Sequence, residues 1–146
     1  MSWTYCRRVR YYETDRMGVV HHSNYLRFLE DARMDWISAK IMSYGEMEKM
    51  GIIIPAVSAE EHFKGFLRFD DPFSVEVRLV EYTGVRIGFV YEIRNTDTGE
   101  VCYTGKSQHY FSPDGNQPGL EYGPMSIKRK FPELHRKFLE MLEQDK

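Results

Sequence analysis

The order of the hydrophobic periods constrains this chain more than any other feature. One loosely alternating segment is followed by a long stretch with helical spacing, and then by four further strand-like segments joined largely through hairpin signals. The helical stretch carries Tyr25, Phe28, Leu29, Ala32 and Trp36 three and four residues apart, which makes one apolar stripe. Ser23 or Asn24 can cap its start, and the pattern predicts a helix running to about Tyr44 and stopping at Gly45. Residues 3–12 hold Trp3, Tyr5, Val9, Tyr11 and Tyr12 and predict a first strand. After at most one helical turn over residues 46–50, residues 52–64 predict a second strand, broken early by Pro55 and therefore an edge or a bulge. Residues 73–82, 85–95 and 101–111 alternate and complete the set. Strands so connected form an antiparallel sheet with one apolar face, and the long helix is the element available to cover it. The fold class is therefore α+β. A sheet with open edges is protected most simply by a second copy, so a homodimer at least is expected. In the tail, Pro132 at a helix N1 position with Leu134, Phe138, Leu139 and Leu142 on one face predicts a peripheral C-terminal helix.

Composition narrows the function. The chain has 146 residues, one domain by size, long enough to bury about two-thirds of its unfolded surface. A net charge of -2, with both signs well represented, argues against general nucleic-acid binding. The longest uncharged apolar run, residues 51–59, falls far short of the roughly 20 residues of a membrane helix, and the first ten residues lack a signal-like apolar run. No stable membrane insertion and a cytoplasmic location are expected. Cys6 and Cys102 lie far apart in sequence without the paired spacing of a zinc site, so no disulfide framework and no structural metal are expected.

Chemistry concentrates where the first strand gives way to the helix, in the sequence YYETDRMGVVHHSNY of residues 11–25. Asp15 and Gly18 sit in a polar turn, and His21 and His22 immediately precede the helix. Such a junction aims a carboxylate and an imidazole at helix-terminal N–H groups, which carry partial positive charge and can hold a polarised carbonyl.

The pattern Tyr11-x-x-Thr14-Asp15-x-x-Gly18-x-Val20-x-His22-x-x-Tyr25, continued by Phe28-x-Glu30-x-Ala32-Arg33, resembles the 4-hydroxybenzoyl-CoA thioesterase-like branch of the hotdog-fold acyl-CoA thioesterases, including the Tol-Pal-associated enzymes. The similarity spans roughly residues 5–111, with weaker support from Phe69-Asp70-Asp71 and Gly105. It implies one hotdog domain over residues 1–146, with a core of about 3–112 and an extension of about 120–146. That domain is a long central helix wrapped by a five-stranded antiparallel sheet, paired into a dimer with active sites at its interface, and a dimer of dimers is expected. The resemblance places the catalytic carboxylate on Asp15, the nearby histidine on His22 and an assisting tyrosine on Tyr11. Carbonyl-polarising N–H groups fall around residues 22–24, which puts Ser23, Asn24 and Tyr25 against substrate. Arg16 and Met17 depart from the small residues more often expected before Gly18 and alter the mouth of the pocket.

The chemistry implied is hydrolysis of an acyl-CoA to a free acid and CoA. A thioester is already activated, so the reaction requires an attacking oxygen and an oxyanion site but no cofactor. Asp15 can attack the carbonyl itself or activate water. The phosphates of CoA need cations, and Lys64, Arg68, Arg86 and Lys106 lie on or beside strands. Two other readings share the fold: a β-hydroxyacyl dehydratase, whose proline-rich histidine motif is missing here, and a binding module without catalysis. The sequence leaves the acyl group open.

Overall fold

The computed structural model describes residues 3–146. Its main sheet has five antiparallel strands in the order β1 (Trp3–Arg8), β4 (Pro72–Tyr82), β5 (Arg86–Asn95), β6 (Val101–Tyr110) and β3 (Ala56–Phe63). Helix α1 (Ser23–Lys40) lies across one face. Helix α2 (Tyr44–Lys49) follows it, and a small second sheet pairs β2 (Ile52–Ile53) with β7 (Ser112–Pro113). Helix α3 (Pro132–Asp145) closes the chain.

Alternation explains the layering. Phe73, Val75, Val77 and Leu79 of β4 and Ile87, Phe89, Tyr91 and Ile93 of β5 are buried, and they meet Tyr25, Phe28, Leu29, Ala32 and Trp36 of α1 in one core. Burying each large apolar side chain contributes about 2 kcal/mol, so register and helix orientation are set together by the stripe. The α+β class, the five-stranded sheet and its covering helix all agree with expectation.

Several boundaries differ. The first strand ends at Arg8, and Tyr11–Glu13 form a 3-10 turn. The cause is tertiary: Val9 exchanges backbone hydrogen bonds with residues 70 and 71, which turns the chain away from the sheet. Helix α1 ends at Lys40 rather than near Tyr44, because the Ser43 hydroxyl accepts from Glu46 N–H and starts a new helix, with Gly45 inside it. Pro55 divides the expected second strand in two: β2 joins the small sheet, while β3 forms an edge of the large one with an irregular register at Ala56–Ser58. The C-terminal helix begins at Pro132 as expected, but it is not peripheral. Phe138 is fully buried and its ring packs on Trp36, Tyr82 and Phe111. Leu139, expected on its apolar face, is exposed.

Candidate active site

The loop between β1 and α1 is a miniature hairpin. Asp15 N–H donates to the Val19 carbonyl, Gly18 N–H to the Asp15 carbonyl, and Thr14 bridges to Val20. Gly18 closes the turn at φ +80°, a conformation that costs an L side chain but not glycine. Val20 N–H then donates to the Leu67 carbonyl, docking the hairpin onto the segment after β3. Inside this turn the half-buried Asp15 accepts from Met17 N–H through Oδ1 at 2.8 Å, while Oδ2 has no partner among the described residues. One carboxylate oxygen fixes the side chain and the other stays available.

The helix start is organised by His21, not by the expected Ser23 or Asn24 cap. His21 Nδ1 lies 2.8 Å from Ser23 Oγ and accepts from Ser23 N–H at 3.2 Å, and the His21 carbonyl accepts from Asn24 N–H at 2.9 Å. The Asn24 side chain is turned inward and donates to the Glu13 carbonyl at 2.8 Å. Of the three N–H groups expected to polarise a carbonyl, those of Ser23 and Asn24 are thus occupied, and among the described residues only that of His22 lacks an acceptor. The His22 ring stacks against His21 at 4.2 Å, and its nitrogens have no partner among the described residues.

Asp15 lies at the boundary of two cavities. A polar cleft of about 710 Å³ includes Arg10, Tyr12, Thr14, Arg27 and Glu30 in its lining. A smaller pocket of about 160 Å³ joins Asp15 and His22 to Met17, Val20, Tyr25, Phe63 and Phe66. Its floor is aromatic: Tyr25 stacks on Tyr103 at 5.0 Å and meets Phe63 edge-on at 5.5 Å. Burial pushes the Tyr25 hydroxyl up to about 12, so it remains a neutral wall. Phe63, Phe66 and Met17 are exposed, giving the pocket a greasy rim that was not picked out from sequence.

The other expected residues divide. Tyr11 is 77% exposed and rests on the edge of Phe69, while Tyr12 lines the cleft in its place. Lys64 and Arg68 flank Gly65 and Phe66 of the small pocket and are exposed. Lys106 points to the uncovered face of the sheet and pairs with Glu60 at 3.1 Å. Arg86 sits opposite Tyr110, seven residues along β6 from the Tyr103 that faces Phe63, hence about 23 Å away at strand spacing. Within one chain the structure brings Asp15, His22 and Tyr25 onto one pocket, sets Lys64 and Arg68 beside its lining residues, the latter bridged to Val19, and leaves Arg86 and Lys106 apart.

Periodicity also gave no sign of two buried polar systems. Glu13 is buried and paired with Arg7. Deeper in the sheet, Arg33 donates to Tyr91 Oη at 3.1 Å, Tyr91 Oη lies 2.6 Å from Ser107 Oγ, and Ser107 Oγ lies 2.8 Å from His109 Nε2. A guanidinium can only donate, so Tyr91 Oη accepts from Arg33 and the two hydroxyls of Tyr91 and Ser107 link that charge to His109 Nε2 in one continuous chain. His109 Nδ1 faces the Ile54 carbonyl without a well-formed hydrogen bond. Burial, reinforced by the nearby Arg33 charge, pulls its pKa down to about 4.

The sequence model of the Thioesterase-like superfamily matches residues 9–134. The chain belongs to that superfamily. Among thioesterase relatives, a Bacillus subtilis protein provisionally named acyl-CoA thioesterase YneP is 31% identical over 127 residues, covering 87% of this chain and 88% of its own. An Aquifex aeolicus protein provisionally named an esterase is 38% identical over 97 residues, covering 66% of this chain and 76% of its own. The solved structure of the DHNA-CoA thioesterase from Staphylococcus aureus superposes with a TM-score of 0.87 at 31% identity, covering 95% of this chain and 89% of that one. The architecture is the hotdog fold of these enzymes, and thioester hydrolysis is the reaction its site has to explain. Among the described residues no helix is long and apolar enough to cross a membrane.

Proposed function

We propose that this thioesterase hydrolyses acyl-CoA where its two cavities meet, with Asp15 as the nucleophile or general base. The observation that carries the reading is the pairing of two unspent groups on one rigid loop, the free Oδ2 of Asp15 and the free N–H of His22 at the pocket of Tyr25, Phe63 and Phe66. The acyl group enters that pocket, whose size and aromatic wall suit a ring or a short chain. His22 N–H receives the carbonyl oxygen as negative charge develops. Asp15 Oδ2 then forms the new C–O bond directly, or takes a proton from water that forms it. The C–S bond breaks with its electron pair leaving on the CoA sulfur, and a direct attack is completed by water hydrolysing the resulting anhydride. The His22 ring serves in substrate orientation or in protonating the thiolate.

The working unit in this reading is a homodimer, joined along β3. That strand is open on its outer side, and all its residues but Glu61 are exposed, including Val57 and Phe63. Antiparallel pairing with a second β3 would satisfy the edge and carry the Arg86 end of one copy toward the Asp15 loop of the other. Lys64 and Arg68 of one chain and Arg86 of its partner would then share the CoA phosphates. Two unpaired cysteines suit a reducing compartment and a cytoplasmic setting. The test is free-thiol release from a panel of short, long and aromatic acyl-CoAs, with Asp15→Asn alongside. Turnover on some members and its loss in the variant are expected, and an unimpaired variant would refute the role of Asp15. Sedimentation should show at least a dimer.

A further inference from the structure

Two residues before Asp15, the Glu13 side chain is only 6% exposed, and its Oε1 accepts both from Arg7 Nη2 and, at 2.7 Å, from Arg10 N–H. The Glu13 carbonyl accepts from His21 N–H at 2.9 Å and from the Asn24 side chain at 2.8 Å. One residue thus grips both limbs of the loop: its carboxylate holds the entering limb to the sheet, and its carbonyl holds the leaving limb where α1 begins. Asp15 and His22, whose Oδ2 and backbone N–H have no partner among the described residues, each stand next to or two residues from these anchors. Arg7 is itself fixed, with its guanidinium 5.0 Å from the Phe28 ring and 5.5 Å from the Phe73 ring, one on α1 and one on β4. The path is continuous: core aromatics hold Arg7, Arg7 holds Glu13, and Glu13 holds the spacing between the attacking oxygen and the helix N–H.

We propose that Glu13, seated on Arg7, is the positioning residue of the thioesterase site, fixing Asp15 Oδ2 and the His22 N–H at the separation the tetrahedral intermediate requires. The proposal rests on the reading of Asp15 given above. A buried carboxylate is a costly way to hold a loop, since an apolar side chain could fill the same space. What it adds is direction: a charge bonded to both Arg7 and Arg10 N–H locks the 3-10 turn in one geometry. Misplacing a reacting group by about 1 Å can cost about 100-fold in rate while leaving binding largely intact. The effect therefore falls on kcat more than on KM.

Glu13→Gln keeps the shape and one acceptor but removes the charge facing Arg7. A fall in kcat of about 100-fold, with KM within about threefold, is expected at a temperature where the variant is fully folded. Asp145→Asn is the control for stability alone: Asp145 is buried as deeply, and its Oδ2 accepts from Leu79 N–H at 2.9 Å at the opposite end of the core. That variant should lose thermal stability and keep its kcat. If Glu13→Gln does not fold, Glu13→Asp, which preserves the charge but retracts it by one methylene, should lower kcat about tenfold with an unchanged circular dichroism spectrum. Parental kcat in whichever Glu13 variant folds would overturn the proposal, as would an equal kcat loss in Asp145→Asn. Asp15→Asn in the same assay separates the two readings: full activity there discards Asp15, whereas an inactive Asp15→Asn beside a fully active Glu13 variant discards only the positioning role.

Discussion

The core has two ends, each with a buried or half-buried aspartate, and they are built on opposite plans. At the α3 end the polar groups are spent on the fold itself. Asp145 accepts from a strand N–H, the Tyr82 hydroxyl meets His135 Nδ1 at 2.6 Å, Lys137 donates to the Ile41 carbonyl, and Phe138 fills the space among three other rings. At the loop end the fold is anchored through Glu13, yet among the described residues Asp15 Oδ2 and His22 N–H are left without partners. In the proposed reading, hydrogen-bond groups withheld from self-satisfaction on an anchored loop separate a reacting end from a structural one.

The widest predicted contrast comes from one substitution at each end. Asp15→Asn should lower kcat by about 10³-fold with little change in melting temperature, measured by thiol release and calorimetry. Its mirror image is Phe138→Ala, expected to remove about 3–5 kcal/mol of stability in denaturant titrations while the folded fraction keeps its kcat. A large activity loss there, corrected for folding, would break the distinction between the ends. His109 belongs to neither end and sharpens the contrast by pH. Its folded pKa of about 4 lies below the ordinary value near 6.5, so the unfolded chain takes up the proton first. Its contribution is whole above pH 6.5 and is lost as pH falls toward 4, about 3 kcal/mol across that window. Replacing His109 with Gln should flatten that part of a stability-versus-pH curve. Tyr82→Phe, which deletes the bond to His135, should cost about 1 kcal/mol and nothing in catalysis. Smallest of all, Tyr11→Phe should change kcat less than about threefold, since the Tyr11 ring rests on Phe69 away from both cavities.

How much was legible from sequence follows the same division. Alternation along β4, β5 and β6 and the stripe of α1 are burial patterns, and burial is what a hydrophobic period reports. Pro132 marked the start of α3 because a missing N–H is harmless only there. Phe138 looked peripheral because a period shows that a face is apolar but not how deeply it docks. Asp15 and His22 could be named through a motif, but the occupancy of each helix N–H could not, because it depends on whether His21 or Ser23 turns inward. Glu13 was hidden by its own charge: a glutamate in a polar loop reads as solvated, and its counter-ion Arg7 faces inward on a strand whose other inward residues are Trp3 and Tyr5. The Ser43 cap was readable, with Glu46 three residues on, but the helical period ran through it.

The open strand β3 has a consequence for the chain in a crowded cell. An extended, exposed segment bearing Val57 and Phe63 is a template for runaway strand addition as well as for specific pairing. Its second half reads Glu60-Glu61-His62 before Phe63. Stacking many freed β3 segments in parallel register would align these carboxylates at about 4.8 Å and strip Glu60 of the Lys106 it pairs with on β6, a repulsion that grows with every added chain. A single antiparallel pair centred on the strand sets Glu60 against Ala59 and escapes it. The acidic pair of β3 thus weighs against a fibril while leaving room for one partner.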